Sequence, residues 1–404
     1  MGTDSKAFFL GVLSDFLQEI PTEETVGVDW EEVFALAKKQ SLEAILYHQC
    51  RSWLPREEKR KHLRGYLSCA ALSFEQAAAF QELMAGMEQE EIPILCMKGA
   101  VLRDCYPIPS LRSMGDMDCV VRAEDREKVD RILREDLGFQ RFIDNHAVWT
   151  YGKGSVYFEV HSHMFYESLT GDVDYRSYFD KVWEHRRRQT VFGVSSRELY
   201  VPEESFHFLY LMTHTAKHVT NKGSGFRPYL DMVRMTRRWA DRLDWAWITG
   251  ELEKLELLSF TRTCFALCER WFGVKMPLES AKLDDAFYLI ATEKCFRDGL
   301  FGLENEENTA AHTAKELKRS HLPRWLASLR LMGEKLFPSY SDMQLIPWYS
   351  FVDGRPWLMP AAWIYRWGYC IVHKRKHGTE LLSEPIVKKK TIAKREEWLR
   401  QWGL

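Results

Sequence analysis

The spacing of apolar residues changes twice along this chain of 404 residues, and that change constrains the fold more than any other feature. From residue 4 to about 90 the spacing is helical almost throughout. Phe8, Leu10, Val12, Leu13, Phe16 and Leu17 form one stripe, Trp30, Val33, Phe34 and Leu36 another, and Tyr66 to Gln89 is a long stretch of good helix formers. Short apolar runs then take over. Ile92 to Met97, entered through Pro93, Met117 to Val121 and Val156 to Val160 have the length and content of strands, and Glu124 to Leu137 between them reads as an amphipathic helix ended by Gly138. After Pro202 the helical period returns and runs to about Leu336. The order predicts an α+β fold. A small mixed-sheet core over 91–200 sits between an N-terminal helical region, 1–90, a helical domain, 201–340, and an aromatic, basic C-terminal helical segment, 341–404.

Composition narrows the classes of function. Lys and Arg total 56 against 58 Asp and Glu, a net charge of −2 that fits neither a strongly basic nucleic-acid binder nor an acidic disordered chain. The balance hides an asymmetry: residues 354–404 carry 11 Lys and Arg against four Asp and Glu, and residues 1–353 carry 45 against 54. The basic tail either meets an anionic partner or pairs with the acidic body. Asp15 and Glu19 interrupt the first apolar stretch, so no signal peptide is expected, and the apolar run Trp357 to Val372, broken by Arg366, is too short for a transmembrane segment. The aromatic region Pro347 to Val372 reads as a core-capping helix or a membrane-surface helix. Nine cysteines, several inside apolar strings, suit reduced thiols and a cytoplasmic location; Cys264 and Cys268 read as core packing.

The chemistry concentrates between Met97 and Val121. Lys98-Gly99 ends a strand, and Asp116-Met117-Asp118 opens another; alternation puts Asp116 and Asp118 on one face and Met117 toward the core. Two carboxylates side by side repel each other unless a cation is supplied, and oxygen ligands suit Mg²⁺ or Mn²⁺. Gly99 lets backbone approach a phosphate, and Glu159 on the third strand-like run is placed to join the carboxylates. Turn and salt-bridge roles are the plainer alternatives. Lys98 and Arg112 are candidates for neutralising phosphate or for surface ion pairs, and His161 and His163 share the strand face of Glu159. His214 and His218 lie one helical turn apart with Lys217 beside them; as Thr215 stands where a zinc protease has Glu, they read as structural, as cleft-lining or, least favoured, as a metal pair. Arg227 and Asp231, four apart, suit an ion pair or the cleft, and Gly223-Ser224-Gly225 is expected to form a mobile loop.

Lys98-Gly99, Leu111-Arg112, Gly115-Asp116-Met117-Asp118 and Glu159-Val160-His161 together resemble the bacterial uncharacterised nucleotidyltransferases of the DNA polymerase beta-like superfamily. The likeness extends to His214-Thr215-Ala216-Lys217-His218, Arg227 and Asp231, and covers about residues 40 to 370. It implies two-metal, in-line transfer of a nucleoside monophosphate from an NTP such as ATP to an acceptor hydroxyl on a small molecule, a protein or an RNA end. Asp116 and Asp118 would bind the metals, and Glu159 would complete the metal site or take the nucleophile's proton. Lys98, Gly99, Arg112, His161, His214, Lys217 and His218 would contact the nucleotide. Ala100 stands where the superfamily often has Ser, which favours the rival reading, a catalytically silent nucleotide-binding or interaction protein of the same fold.

Overall fold

A computed structural model describes residues 3–144, 147–167, 169, 173–299, 333, 336–340, 343, 351–352, 355–373 and 389–404. The chain divides into two units, Met1–Leu303 with Trp402–Leu404, and Glu304–Gln401.

The first unit begins with α1 (Ser5–Gln18), α2 (Trp30–Gln40), α3 (Glu43–Cys50) and the long α4 (Arg56–Gln89). Asp4 and Asp29 start α1 and α2, their carboxylates accepting from the backbone N–H of Lys6 and Glu32 at 2.9 and 3.0 Å. The strands are β1 (Ile94–Cys96), β2 (Asp116–Val120), β3 (Gln140–Asp144), β4 (Val148–Lys153), β5 (Val156–His161), β6 (Arg186–Arg188) and β7 (Leu199–Pro202). They form one mixed sheet in the order β3-β4-β5-β2-β1-β7-β6. Two pairings matter for the site: β1 runs antiparallel to β2, and β2 runs parallel to β5. Parallel neighbours need a crossover. Here α6 (Arg126–Arg131), a π turn over Ile132–Asp136, and β3 with β4 supply it. The helix expected over 124–137 is thus a short helix running into a π turn, and it stops before Gly138 at φ +70°.

The sheet's short elements are α5 (Gly99–Leu102) and α7 (Tyr175–Asp180); α8 (Glu204–Asn221), α9 (Arg227–Arg238), α10 (Trp245–Lys254), α11 (Leu258–Phe272) and α12 (Asp285–Asp298) follow it. β6, three consecutive arginines, is an edge strand, and charge there blunts pairing with another chain. Cys264 and Cys268 are buried on α11. The glycines of residues 223–225, expected in a mobile loop, are packed instead. A Cβ on Gly223 would lie 2.0 Å from Asp298 Oδ2, and one on Gly225 would lie 2.2 Å from Gln40 Oε1, the oxygen that accepts from Phe226 N–H at 3.1 Å.

A buried ion pair joins the segment before β2 to α9. Arg112 Nε and Nη2 donate to the two oxygens of Asp231, both at 2.8 Å, and Tyr106 Oη donates to the same carboxylate at 2.7 Å. Asp231 therefore pairs with Arg112, not with Arg227 on its own helix; Arg227 Nη1 donates to Ser113 O at 3.0 Å.

In the second unit, Met343, Val352, Met359 and Ala362 form a small apolar cluster with Tyr340, Leu358 and Trp363 around α13 (Met359–His373). The indole N–H groups of Trp363 and Trp367 donate to Pro338 O and Leu336 O at 3.0 and 2.9 Å. Trp348, Tyr349, Lys388 and most of the helical spacing expected between 300 and 336 lie outside the described residues. Among the described residues no helix is long and apolar enough to cross a membrane.

Removing one member of a buried, doubly hydrogen-bonded ion pair leaves an uncompensated charge, at a cost of about 3–5 kcal/mol. Asp231→Ala is expected to lower the stability to urea by that amount, and the double change Arg112→Met with Asp231→Leu to recover most of it. A loss below about 1 kcal/mol in the single variant would show that the pair bears no structural load.

Candidate active site

The register of the parallel pair builds the site. Asp116 lies opposite Tyr157, Asp118 opposite Glu159 and Val120 opposite His161. Because side chains alternate, Asp116, Asp118, Glu159 and His161 share one face, while Met117, Phe158 and Val160 enter the core. One oxygen from Asp118, one from Glu159 and a ring nitrogen of His161 lie within 4.8 Å of one another. His161 Nε2 is 3.0 Å from Asp118 Oδ1 and 3.5 Å from Glu159 Oε2. Asp118 and His161 are buried and Glu159 is half-buried. Asp116 stands beside the trio on the same face without being one of its three. His163 falls past the end of β5 and leaves the cluster: its Nδ1 meets Asp180 Oδ1 at 2.8 Å.

Lys98 reaches the cluster from the end of β1. Its Nζ donates to Asp118 Oδ1 at 2.6 Å, and its backbone N–H donates to His207 Nε2 at 3.2 Å. The backbone stands at φ 48°, ψ −122°, a conformation that turns normally give to glycine. Holding a lysine there costs on the order of 1–3 kcal/mol, and the two hydrogen bonds offset it. Gly99 follows because packing demands it. A Cβ there would lie 2.5 Å from Met114 Sδ and 2.7 Å from Arg112 Nη1.

Burial and charge in this small space shift Asp116, Asp118 and Lys98. Burial, then Asp118 and Glu159, push the Asp116 carboxyl up to about 6. Burial alone would raise Asp118 as well, but the Lys98 ammonium and the His161 ring overrule it and hold Asp118 well below the usual carboxylate range. Burial opposes the Lys98 charge, and Asp118, Tyr210 and Asp116 outweigh it, so the ammonium is kept.

α8 closes the other side. His207, Tyr210, His214 and His218 follow one another by three, four and four residues and so share a helix face. The rings of His214 and His218 lie 4.5 Å apart at 75°. Burial, then neighbouring cations, Lys98 for His214 and Lys217 for His218, push both imidazoles down, His218 to about 3, so they are neutral. Burial, then Arg112 and Arg187, do the same to His207. Lys217 Nζ is 2.8 Å from Glu167 Oε1. Between sheet and helix an open cleft with about 340 Å³ of empty space is lined by Lys98, Glu159, His161, Tyr210, His214 and Lys217, among others. Gly99, Arg112 and His218, expected at the nucleotide, are not in that lining; Arg112 is closed on Asp231. His207 and Tyr210 escape a reading of the sequence that looks for paired ligands. Their spacing to His214 and His218 was the available signal.

The sheet brings carboxylates of two adjacent strands together, and one of them, Glu159, lines the cleft beside Lys98 and Lys217, an arrangement suited to an anionic substrate. Residues 27–273, more than half of the chain, match the family described as uncharacterised nucleotidyltransferase. The chain belongs to that family and is a transferase of nucleotidyl groups. No curated protein matches the sequence. The antibiotic-resistance factor ANT(2'')-Ia, known from a solution structure, is similar at 12% identity over 46% of this chain and 96% of that one, with a TM-score of 0.33, a likeness too distant to define this fold.

The Asp116 carboxyl, raised from 3.8 to about 6, works against the fold when ionised: the cost is complete above pH 6 and gone below pH 3.8. In the presence of a chelator, Asp116→Asn is expected to be more stable than the parent by roughly 1–3 kcal/mol at about pH 7, the gap closing toward about pH 4. Urea titrations across that range test this, and a gap that stays constant with pH would contradict it.

Proposed function

We propose that this nucleotidyltransferase moves a nucleoside monophosphate from an NTP to an acceptor hydroxyl and does so with Mg²⁺ or Mn²⁺. The observation that carries the reading is the convergence of Asp118, Glu159 and His161 within 4.8 Å, with Asp116 on the same face of the sheet. The donor set fits such an ion. Two carboxylate oxygens and one imidazole nitrogen meet where burial and like charge already raise Asp116, and carboxylates suit Mg²⁺ and Mn²⁺. When bound, the ion supplies charge neutralisation at the transferring phosphoryl group and its leaving pyrophosphate.

The chain's own groups account for the rest. Lys98 and His161 hold Asp118 ionised and aimed, which fixes one ligand oxygen before substrate arrives. Glu159, the half-buried member of the trio that lines the cleft, is suited to take the acceptor's proton. Lys217 and the neutral His214 line the cleft as donors for phosphate oxygens. Arg112 and Gly99 act at one remove, Arg112 by anchoring the segment before β2 to α9 and Gly99 by admitting Met114.

The test is transfer of label from each of four α-labelled NTPs, with Mg²⁺ or Mn²⁺, to the protein, RNA and small-molecule fractions of a cell extract. Asp118→Asn removes a ligand worth several kcal/mol to the transition state, so transfer is expected to fall at least about a hundredfold. Chelation is expected to abolish it. Transfer at the parent rate in Asp118→Asn or in chelator would overturn the reading, and the fraction that takes up label identifies the acceptor class.

A further inference from the structure

We propose that the Lys98 ammonium is a built-in cation of the carboxylate cluster, standing in for one of two metal ions, so that the site takes a single divalent ion. The proposal rests on the nucleotidyl-transfer reading and concerns how the same site is loaded.

Three observations lead there. First, Lys98 Nζ sits 2.6 Å from Asp118 Oδ1, the oxygen that also meets His161 Nε2 at 3.0 Å. In two-metal sites the ions lie about 3.5–4 Å apart and depend on carboxylate oxygens free to face both. Here one oxygen of the central carboxylate is already shared by an ammonium and an imidazole. The residue that carries the ammonium is fixed, because its backbone N–H is tied to His207, and Tyr210 lines the same cleft.

Second, the ligand geometry points the same way, since the trio of Asp118, Glu159 and His161 converges as one set and Asp116 stands outside it.

Third, the lysine is held at a cost. At φ 48° a glycine would fit without strain, and glycine would leave Asp118 Oδ1 open. A strained residue whose side chain ends on the central carboxylate points to a task for that side chain. A resident ammonium would hold Asp118 in place in the absence of metal, and would occupy one cation position at every stage of the reaction.

The experiment counts bound Mn²⁺ by electron paramagnetic resonance on the full chain, saturated in turn with each of the four α,β-methylene nucleoside triphosphates. One Mn²⁺ per chain is expected for the parent and two for Lys98→Gly, a variant whose backbone suits the positive φ. Two Mn²⁺ in the parent, or one in both proteins, would overturn the single-ion proposal while leaving metal-dependent transfer standing. No bound Mn²⁺ in either protein would overturn the nucleotidyl-transfer reading itself. The count for the parent decides the matter even if Lys98→Gly does not fold.

Discussion

Everything at the site turns on one carboxylate, that of Asp118, held at the centre of a sheet between an ammonium and an imidazole. Burying an acid on β2 is unfavourable unless its charge is met, and Lys98 at 2.6 Å and His161 at 3.0 Å meet it. Those two partners come from the end of β1 and from β5, the strands on either side. The antiparallel β1·β2 pair and the parallel β2·β5 pair are therefore electrostatically as well as sterically coupled. Asp116, two residues earlier, is raised by burial and then by the repulsion of Asp118 and Glu159, which the more distant pull of Lys98 does not offset.

The surroundings keep that carboxylate in place through buried polar contacts that each have a specific partner. His207 accepts from the Lys98 backbone, so the helix α8 supports the strained residue from behind. Arg112, closed on Asp231 and Tyr106, fixes the approach to β2 against α9. Gln76 on α4 donates to Met114 O at 3.0 Å, and Ser113 donates to Ser41 O at 2.6 Å, which ties the same segment to the N-terminal helices. The helices flanking the sheet thus fix the loop that delivers Asp116 and Asp118 to their strand.

How much of this was legible in the sequence depended on how local each cause is. Alternation made the shared face of Asp116 and Asp118 readable, and the three apolar runs marked β1, β2 and β5. The edge strands were not readable: β6 is Arg186-Arg187-Arg188, with no apolar period at all, and β3 is a short, largely polar run over Gln140–Asp144. The helix ahead of Gly138 was visible as an apolar pattern, but the π turn within it was not. His163 seemed to share the face of Glu159, yet β5 ends at His161 and the chain turns away toward Asp180. Arg227 and Asp231 met the rule for an ion pair within a helix, and Asp231 took a partner 119 residues away instead.

By itself the sequence determined the kinds of element and the side-chain chemistry available: helices around a small sheet, with two acids on one strand face and a third near them. That follows from hydrophobic period and alternation, which act over a few residues. The tertiary structure alone decided that Asp118 lies opposite Glu159, that Lys98 ends on Asp118, that Arg112 is spent on Asp231 and that His207 props a strained backbone. Strand register and helix docking are set by packing across long stretches of chain. A residue's partner in a buried, low-dielectric site is chosen by that packing and not by its neighbours in sequence.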